Sequence, residues 1–246
     1  MIRIRRIALE ISNQLARSRC FSLAALMGLL GPGVAPAQTI IHNATADFVM
    51  NLPNPNGVWT YGYTLDLASS LTPFAGYLDD TSALFFGWRT DLSLGAPGIF
   101  KNYGTSPGFG ILPGQVSLHP GPNGEYAVLR FTAPAEGSYA VDAQFFAGDS
   151  GTTDATIVLN QQTASPEFYF PNTDTNPVAN RTFDLVAGAK LDFAVGYLGS
   201  FFSDNTPFTV VIAFTPIPEP GTLSLLALGI LLLVARHVSG RAKRQR

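Results

Sequence analysis

Cysteine is almost missing from this chain: Cys20 is the only one in 246 residues, and it falls near the N-terminus. A disulfide framework, a redox pair and a thiolate zinc site are thereby excluded from everything downstream. Histidine is nearly as rare, and His42 and His119 stand too far apart in sequence to form a recognisable zinc or copper set. Basic residues are scarce where they would matter most. Between Gln38 and Ile217 only Arg89, Lys101, Arg130, Arg181 and Lys190 face fifteen acidic side chains, a net charge near -10 that the whole-chain value of -2 conceals. Such a domain repels nucleic acid and anionic lipid, which removes nucleic acid as a partner and favours cations or neutral sugars. No stretch before Thr222 carries a 3.6-residue apolar period, so the middle is not built of amphipathic helices. The uncharged run at the C-terminal end, Gly221 to Ala235, is fifteen residues long, roughly 22 Å as a helix against a hydrocarbon core of about 30 Å.

The two ends read as addresses. Arg3, Arg5, Arg6, Arg17 and Arg19 precede an apolar stretch from Phe21 to Leu30, and Ala35-Pro36-Ala37 offers the small residues that signal peptidase requires. Cleavage after Ala37 makes residues 1–37 a signal peptide and carries Cys20 away, and no lipobox precedes that cysteine. At the other end, residues 216–246 run from Pro216-Ile217-Pro218-Glu219-Pro220-Gly221 into a helix expected over 222–235, then into the basic tail 236–246 with Arg236, Arg241, Lys243, Arg244 and Arg246. The basic cluster stays cytoplasmic by the positive-inside rule, and Pro218 and Pro220 keep the approach to the helix extended. Proline-glutamate-proline, short apolar helix and basic tail in this order resemble the PEP-CTERM sorting signal of Gram-negative bacteria. The resemblance implies export through the inner membrane, a transient membrane hold, and removal of the tail by an exosortase, a membrane cysteine transpeptidase-like enzyme. It places the mature protein at the cell surface or in extracellular matrix. An ordinary single-span tail anchor is the alternative for the same residues.

The region 38–215 is long enough for one core. Tyr139, Val141, Ala143 and Phe145 alternate with Ala140, Asp142 and Gln144; Leu191, Phe193, Val195 and Tyr197 alternate with Asp192, Ala194 and Gly196; Phe208, Val210, Ile212 and Phe214 do the same. Further strands are expected at Ala155 to Asn160, Tyr126 to Thr132, Thr182 to Val186, Ala83 to Arg89 and Val58 to Leu67, eight to ten in all. Many short strands with Gly, Pro, Asn and Asp between them predict an all-β antiparallel sandwich or jelly roll. The stretches Asn54 to Tyr63, Val116 to Pro122, Leu129 to Tyr139 and Asp192 to Tyr197 resemble, more loosely, the carbohydrate-binding and galactose-binding-like sandwiches of exported bacterial proteins.

Candidate site residues follow from the chemistry of sugars, whose apolar faces stack on aromatics while hydroxyls bond to polar side chains. Trp59, Tyr61, Trp88, Arg89 and Tyr103 are the candidates for a glycan site, with Tyr63 beside them; for each, packing in the sandwich interior is the rival reading. Asp149, Asp154, Asp174 and Asp204 are candidate ligands of a structural calcium, the single cofactor for which the sequence leaves room. An EF-hand is excluded around Asn172 to Asn176, because Pro177 stands where glycine is needed and Phe183 where glutamate is needed. Gly148-Asp149-Ser150-Gly151 matches a protease nucleophile loop in letters only, with no catalytic-histidine context. Asp79-Asp80 cannot face each other as an acid/base pair within one strand. The expected function is non-catalytic: a surface or biofilm-matrix protein that binds extracellular polysaccharide. A self-associating matrix subunit is the alternative, and a secreted glycoside hydrolase a third reading.

Overall fold

The computed structural model describes residues 38–49, 53–80, 85–91, 96–217 and 228–234, with the side chains of 77–80 outside that set. The signal-peptide residues Ala35 and Ala37, the motif Pro218, Glu219 and Pro220, and the basic tail with Arg236, Arg241, Lys243 and Arg244 lie outside the described residues. Gln38–Ile217 is one compact unit; residues 228–234, which are helical, belong to a second. Among the described residues no helix is long and apolar enough to cross a membrane.

The unit Gln38–Ile217 is the expected antiparallel sandwich. Fourteen described strands run in chain order: β1 (Ile40–Asn43), β2 (Trp59–Thr64), β3 (Thr72–Pro73), β4 (Gly76–Asp80), β5 (Phe85–Arg89), β6 (Gly98–Asn102) and β7 (Val116–His119). Then follow β8 (Tyr126–Thr132), β9 (Gly137–Phe145), β10 (Asp154–Leu159), β11 (Phe168–Phe170), β12 (Val178–Leu185), β13 (Lys190–Gly196) and β14 (Thr206–Pro216). One four-residue helix, α1 (Ala44–Asp47), follows β1. The first sheet has the order β12-β9-β14-β7-β6-β5-β4, with β1 also on β14; the second has the order β11-β10-β13-β8-β2-β3. The long strand β14 is shared along one edge, since Thr206–Phe208 pairs with β7 and Val211–Phe214 with β1.

The alternation read from the sequence sets the core. Tyr139, Val141, Ala143 and Phe145 of β9 and Phe208, Val210, Ile212 and Phe214 of β14 point inward against Leu129, Phe131, Leu191, Phe193 and Val195 of the second sheet. At about 25 cal/mol per Å2 of apolar area, this layer of large side chains is the main favourable contribution to folding. Outward positions of β9, Ser138, Ala140, Asp142 and Gln144, are small or polar and partly exposed, as a solvated sheet face should be.

The second sheet departs from that pattern, because its outer face is also buried. Val128, Val158 and Ala194 form a small apolar cluster there, covered by Leu67 and Leu71 of the β2–β3 loop. In the same face, Arg130 and Asp192 stand directly opposite each other on β8 and β13. Arg130 Nε donates to Asp192 Oδ1 at 2.6 Å and Nη2 to Oδ2 at 2.7 Å, a two-pronged bond that lets both charges be buried. Strands β1, β3, β4, β6, β7 and β11 had not been expected. They are two to five residues long, and in β6 and β7 nearly every residue is buried, so neither shows a period of two.

Candidate functional site

Where α1 meets β2, a cleft of about 430 Å3 opens, lined by His42, Asp47, Val49, Asn56, Val58 and Trp59 among others. Asn43 starts α1 and explains why so short a helix holds. Its Oδ1 accepts the N–H groups of Thr45 and Ala46 at 3.0 and 3.1 Å, while Asp47 Oδ2 accepts the Asn43 N–H at 3.1 Å. Asp47 Oδ2 also accepts the indole N–H of Trp59 at 2.9 Å. The Asn56 amide donates to the Asp47 carbonyl at 2.9 Å, and Asn54 fastens the same loop to β2 by accepting from Tyr61 N and donating to Tyr61 O. The cleft wall is therefore a hydrogen-bonded assembly held on a strand.

His42 faces this cleft from β1. Its ring lies 5.4 Å from that of Phe131, and its Nε2 is buried with no hydrogen-bond partner. Burial holds the imidazole below its ordinary pKa, against an opposing pull from the Asp47 charge, so it is neutral at physiological pH. The imidazole, a carboxylate and an amide together line the cleft, a mix of donor and acceptor groups of the kind a hydroxyl-rich neutral ligand needs.

Four of the five aromatic and basic candidates gather beneath α1. Trp59 is 1% exposed and packs edge-on to Phe131, and Tyr61 stacks on Trp88 at 5.9 Å with 10° between the planes. Tyr103 donates its hydroxyl to the Phe48 carbonyl at 3.2 Å and lies under the Lys101 ammonium. Burial raises the Tyr61 phenol, so it stays protonated beside Asn56 and Asp47. The ring faces of Trp59, Tyr61 and Trp88 are thus occupied by the core, the rival reading for these residues, because stacking a second ring there would mean opening the sandwich. Only the Trp59 edge reaches the cleft. Arg89 stands apart, its guanidinium 4.9 Å over the Phe100 ring. The sequence raises His42 only to set aside a zinc or copper set, and it makes neither Asp47 nor Asn56 a site candidate; all three are polar residues of ordinary strand, loop and cap chemistry, and only the packing of α1 on β2 sets them together.

The four aspartates do not converge. Asp174 is exposed in a 3-10 turn capped by Asn172, whose Oδ1 accepts the Asp174 N–H at 2.7 Å. Asp154 is buried at the start of β10 beside Gly196 and Tyr126. Asp149 and Asp204 do come together, where the β9–β10 loop meets the β13–β14 loop. Asp149 accepts Asn205 N at 3.2 Å and Asn205 Nδ2 at 2.9 Å, and its charge acts on Asp204. Among the described residues no three His, Cys, Asp or Glu side chains form a metal-holding group.

Residues 216–244 match the PEP-CTERM protein-sorting motif. The chain therefore carries a bacterial signal for export and cell-surface sorting, and the motif implies processing by exosortase. No curated protein matches the chain. Among solved structures it is similar to a family 35 carbohydrate binding module from Clostridium thermocellum, at 17% identity over 71% of this chain and 98% of that one, with a TM-score of 0.28. A family 35 carbohydrate binding module from an environmental isolate is 18% identical over 59% of this chain and 99% of that chain, TM-score 0.28. The isomalto-dextranase of Arthrobacter globiformis T6 is 17% identical over 72% of this chain and 33% of that one, TM-score 0.29. The sandwich itself rests on the strand pairing described above and draws nothing from these superpositions.

Proposed function

We propose that this protein is a non-catalytic binding module, displayed at the bacterial surface or in extracellular matrix after processing, that takes a short segment of neutral polysaccharide in the α1–β2 cleft. The observation that carries this reading is the cleft's make-up: an indole edge and two valines beside an imidazole, a carboxylate and an amide, in a volume that suits one or two sugar rings. The net charge near -10 between Gln38 and Ile217 turns the module away from acidic polymers and toward uncharged ones. The resemblance to sorted envelope proteins implies an extracellular setting with polysaccharide in it, and such a polymer matches the chemistry of the cleft.

The reading is tested with the intact chain in mild detergent on immobilised neutral polysaccharides and a glycan array. Retardation on at least one neutral glycan, weakened about tenfold by His42→Ala with the thermal midpoint nearly unchanged, is the expected result; a loss of one or two hydrogen bonds to a ligand is of that size. An array without a single neutral-glycan signal removes the proposal. Binding that survives both His42→Ala and Asn56→Ala moves the site elsewhere and removes the cleft from it.

A further inference from the structure

Asp204 sits just before β14 and is 1% exposed, yet both of its carboxylate oxygens lack a hydrogen-bond partner. The Oδ1 atom of the next residue, Asn205, is also buried and unpartnered. The three orphaned atoms in these two consecutive residues are all oxygen acceptors, so with Asp204 ionised they cannot satisfy one another. The surroundings add more oxygen. Asp204 Oδ1 and the carbonyl oxygens of Phe202 and Ser203 all lie within 2.6 Å of the point where a Cβ on Gly151 would stand. Glycine is required at 151 because these oxygens leave no room for a side chain. The charge that acts on Asp204 is that of Asp149, which has the same sign.

A buried carboxylate among carbonyls and beside another carboxylate is unfavourable as it stands, since each charge loses its water and gains no counter-charge. A buried water satisfies one or two of these oxygens but leaves the charge without a counter-charge; a proton satisfies one oxygen and abolishes the charge, and a hard cation satisfies several oxygens and uses the charge. Calcium takes oxygen ligands of mixed type, carbonyl and carboxylate alike, so a pair of aspartates is enough when backbone oxygens supply the rest. From these observations we infer that Asp204, with the carbonyl oxygens of Phe202 and Ser203, is a binding site for a divalent cation of the calcium class, which clamps the β13–β14 loop onto the β9–β10 loop. Asp149 lends the second charge while holding Asn205, and Gly151 N donates to the Ser203 carbonyl at 2.7 Å to set that turn. The clamp would also fix the tip of the β13–β14 loop, where Phe202 is 70% exposed and stacks on Phe201 at 4.2 Å. Asp154 and Asp174 take no part in it.

The test is calorimetric titration of calcium chloride into the intact, chelator-stripped chain in mild detergent, with thermal melts in chelator and in 1 mM calcium at pH 8. One calcium per chain with a Kd between about 10⁻⁶ and 10⁻⁴ M is expected, and a midpoint several degrees higher with calcium than without. Asp204→Asn should abolish that rise and, in chelator, melt no lower than wild type, because the buried charge is gone. Asp174→Asn should keep the full response. Wild-type protein that shows neither heat nor a shift up to 10 mM calcium overturns the inference, whether or not the variant folds. An Asp204→Asn variant that still responds to calcium like wild type overturns it equally.

Discussion

Asp192 and Asp204 are hidden from solvent to the same degree, 2% and 1% exposed, in opposite chemical circumstances. Asp192 lies in mid-strand on the second sheet's outer face, where the register of β13 on β8 delivers Arg130 to it and both oxygens are bonded. Asp204 lies at a loop end, where no strand register delivers anything, and both oxygens are bare. Pairing a carboxylate across a sheet costs little design, since cross-strand neighbours are fixed by backbone hydrogen bonds. A loop carboxylate depends on whatever the loop packing supplies: Asp149 is given the Asn205 amide groups, and Asp204 is given none. The comparison separates a charge that belongs to the architecture from one that points to a ligand.

The comparison breaks most visibly at the paired end. Arg130→Ala leaves Asp192 buried without its partner and should cost about 3–5 kcal/mol in chemical denaturation, whereas replacing both residues, Arg130→Met with Asp192→Leu, should recover most of that loss. If the single and double variants were equally unstable, the ion pair would not be the reason for the cost. At the unpaired end, Gly151→Ala drives a methyl group into Asp204 Oδ1 and the carbonyls of Phe202 and Ser203, for an expected loss of about 1–3 kcal/mol. Equal stability of this variant would mean that the two loops do not pack as described.

Titration sharpens the contrast further. Burial, with the Asp149 charge added, pushes Asp204 up to about 7 from an ordinary 3.8. In chelator the folded chain therefore holds this proton over a range where the unfolded chain has released it. The stabilisation is complete below 3.8 and is lost as pH rises through about 7. His119, which donates from Nδ1 to the Pro120 carbonyl and is held below its ordinary value mainly by burial, acts in the opposite sense, losing stability as pH falls below 6.5. The difference between wild type and Asp204→Asn removes the His119 contribution. That difference should favour the variant above pH 7 and shrink steadily toward pH 4; a flat difference would place Asp204 in contact with solvent. The smallest effect is expected from Tyr139→Phe, which removes the hydroxyl donating to the Ala135 carbonyl at 2.7 Å but keeps the stack on Phe214, for a loss of about 1 kcal/mol by denaturation.

β9 and β14 were legible because inward and outward residues contrast along them, and β13, though buried on both faces, because large apolar side chains alternate with Asp192, Ala194 and Gly196. The strands β6 and β7, also buried on both faces, were not, since Ile99, Phe100, Val116, Ser117 and Leu118 present no alternation to read. The aromatic candidates were recognised as one group, and Trp59, Tyr61, Trp88 and Tyr103 do share a neighbourhood under α1; their composition could not tell a ring face in the core from one in a cleft. Of the four aspartates, the sequence had no means of choosing Asp149 and Asp204, which are fifty-five positions apart.

What the linear order of residues determined is whatever depends on neighbours along the chain: the sorting motif over 216–244, the cysteine-free acidic middle, and the alternation that makes a sandwich. What only the folded molecule decided is which polar groups are paired. Arg130 finds Asp192, the His42 Nε2 and both Asp204 oxygens find no hydrogen-bond partner, and the outer face of one sheet is covered while that of the other is partly solvated. Partnership between buried groups is a matter of distance through space, and strand register and loop packing set that distance across separations the sequence does not encode locally.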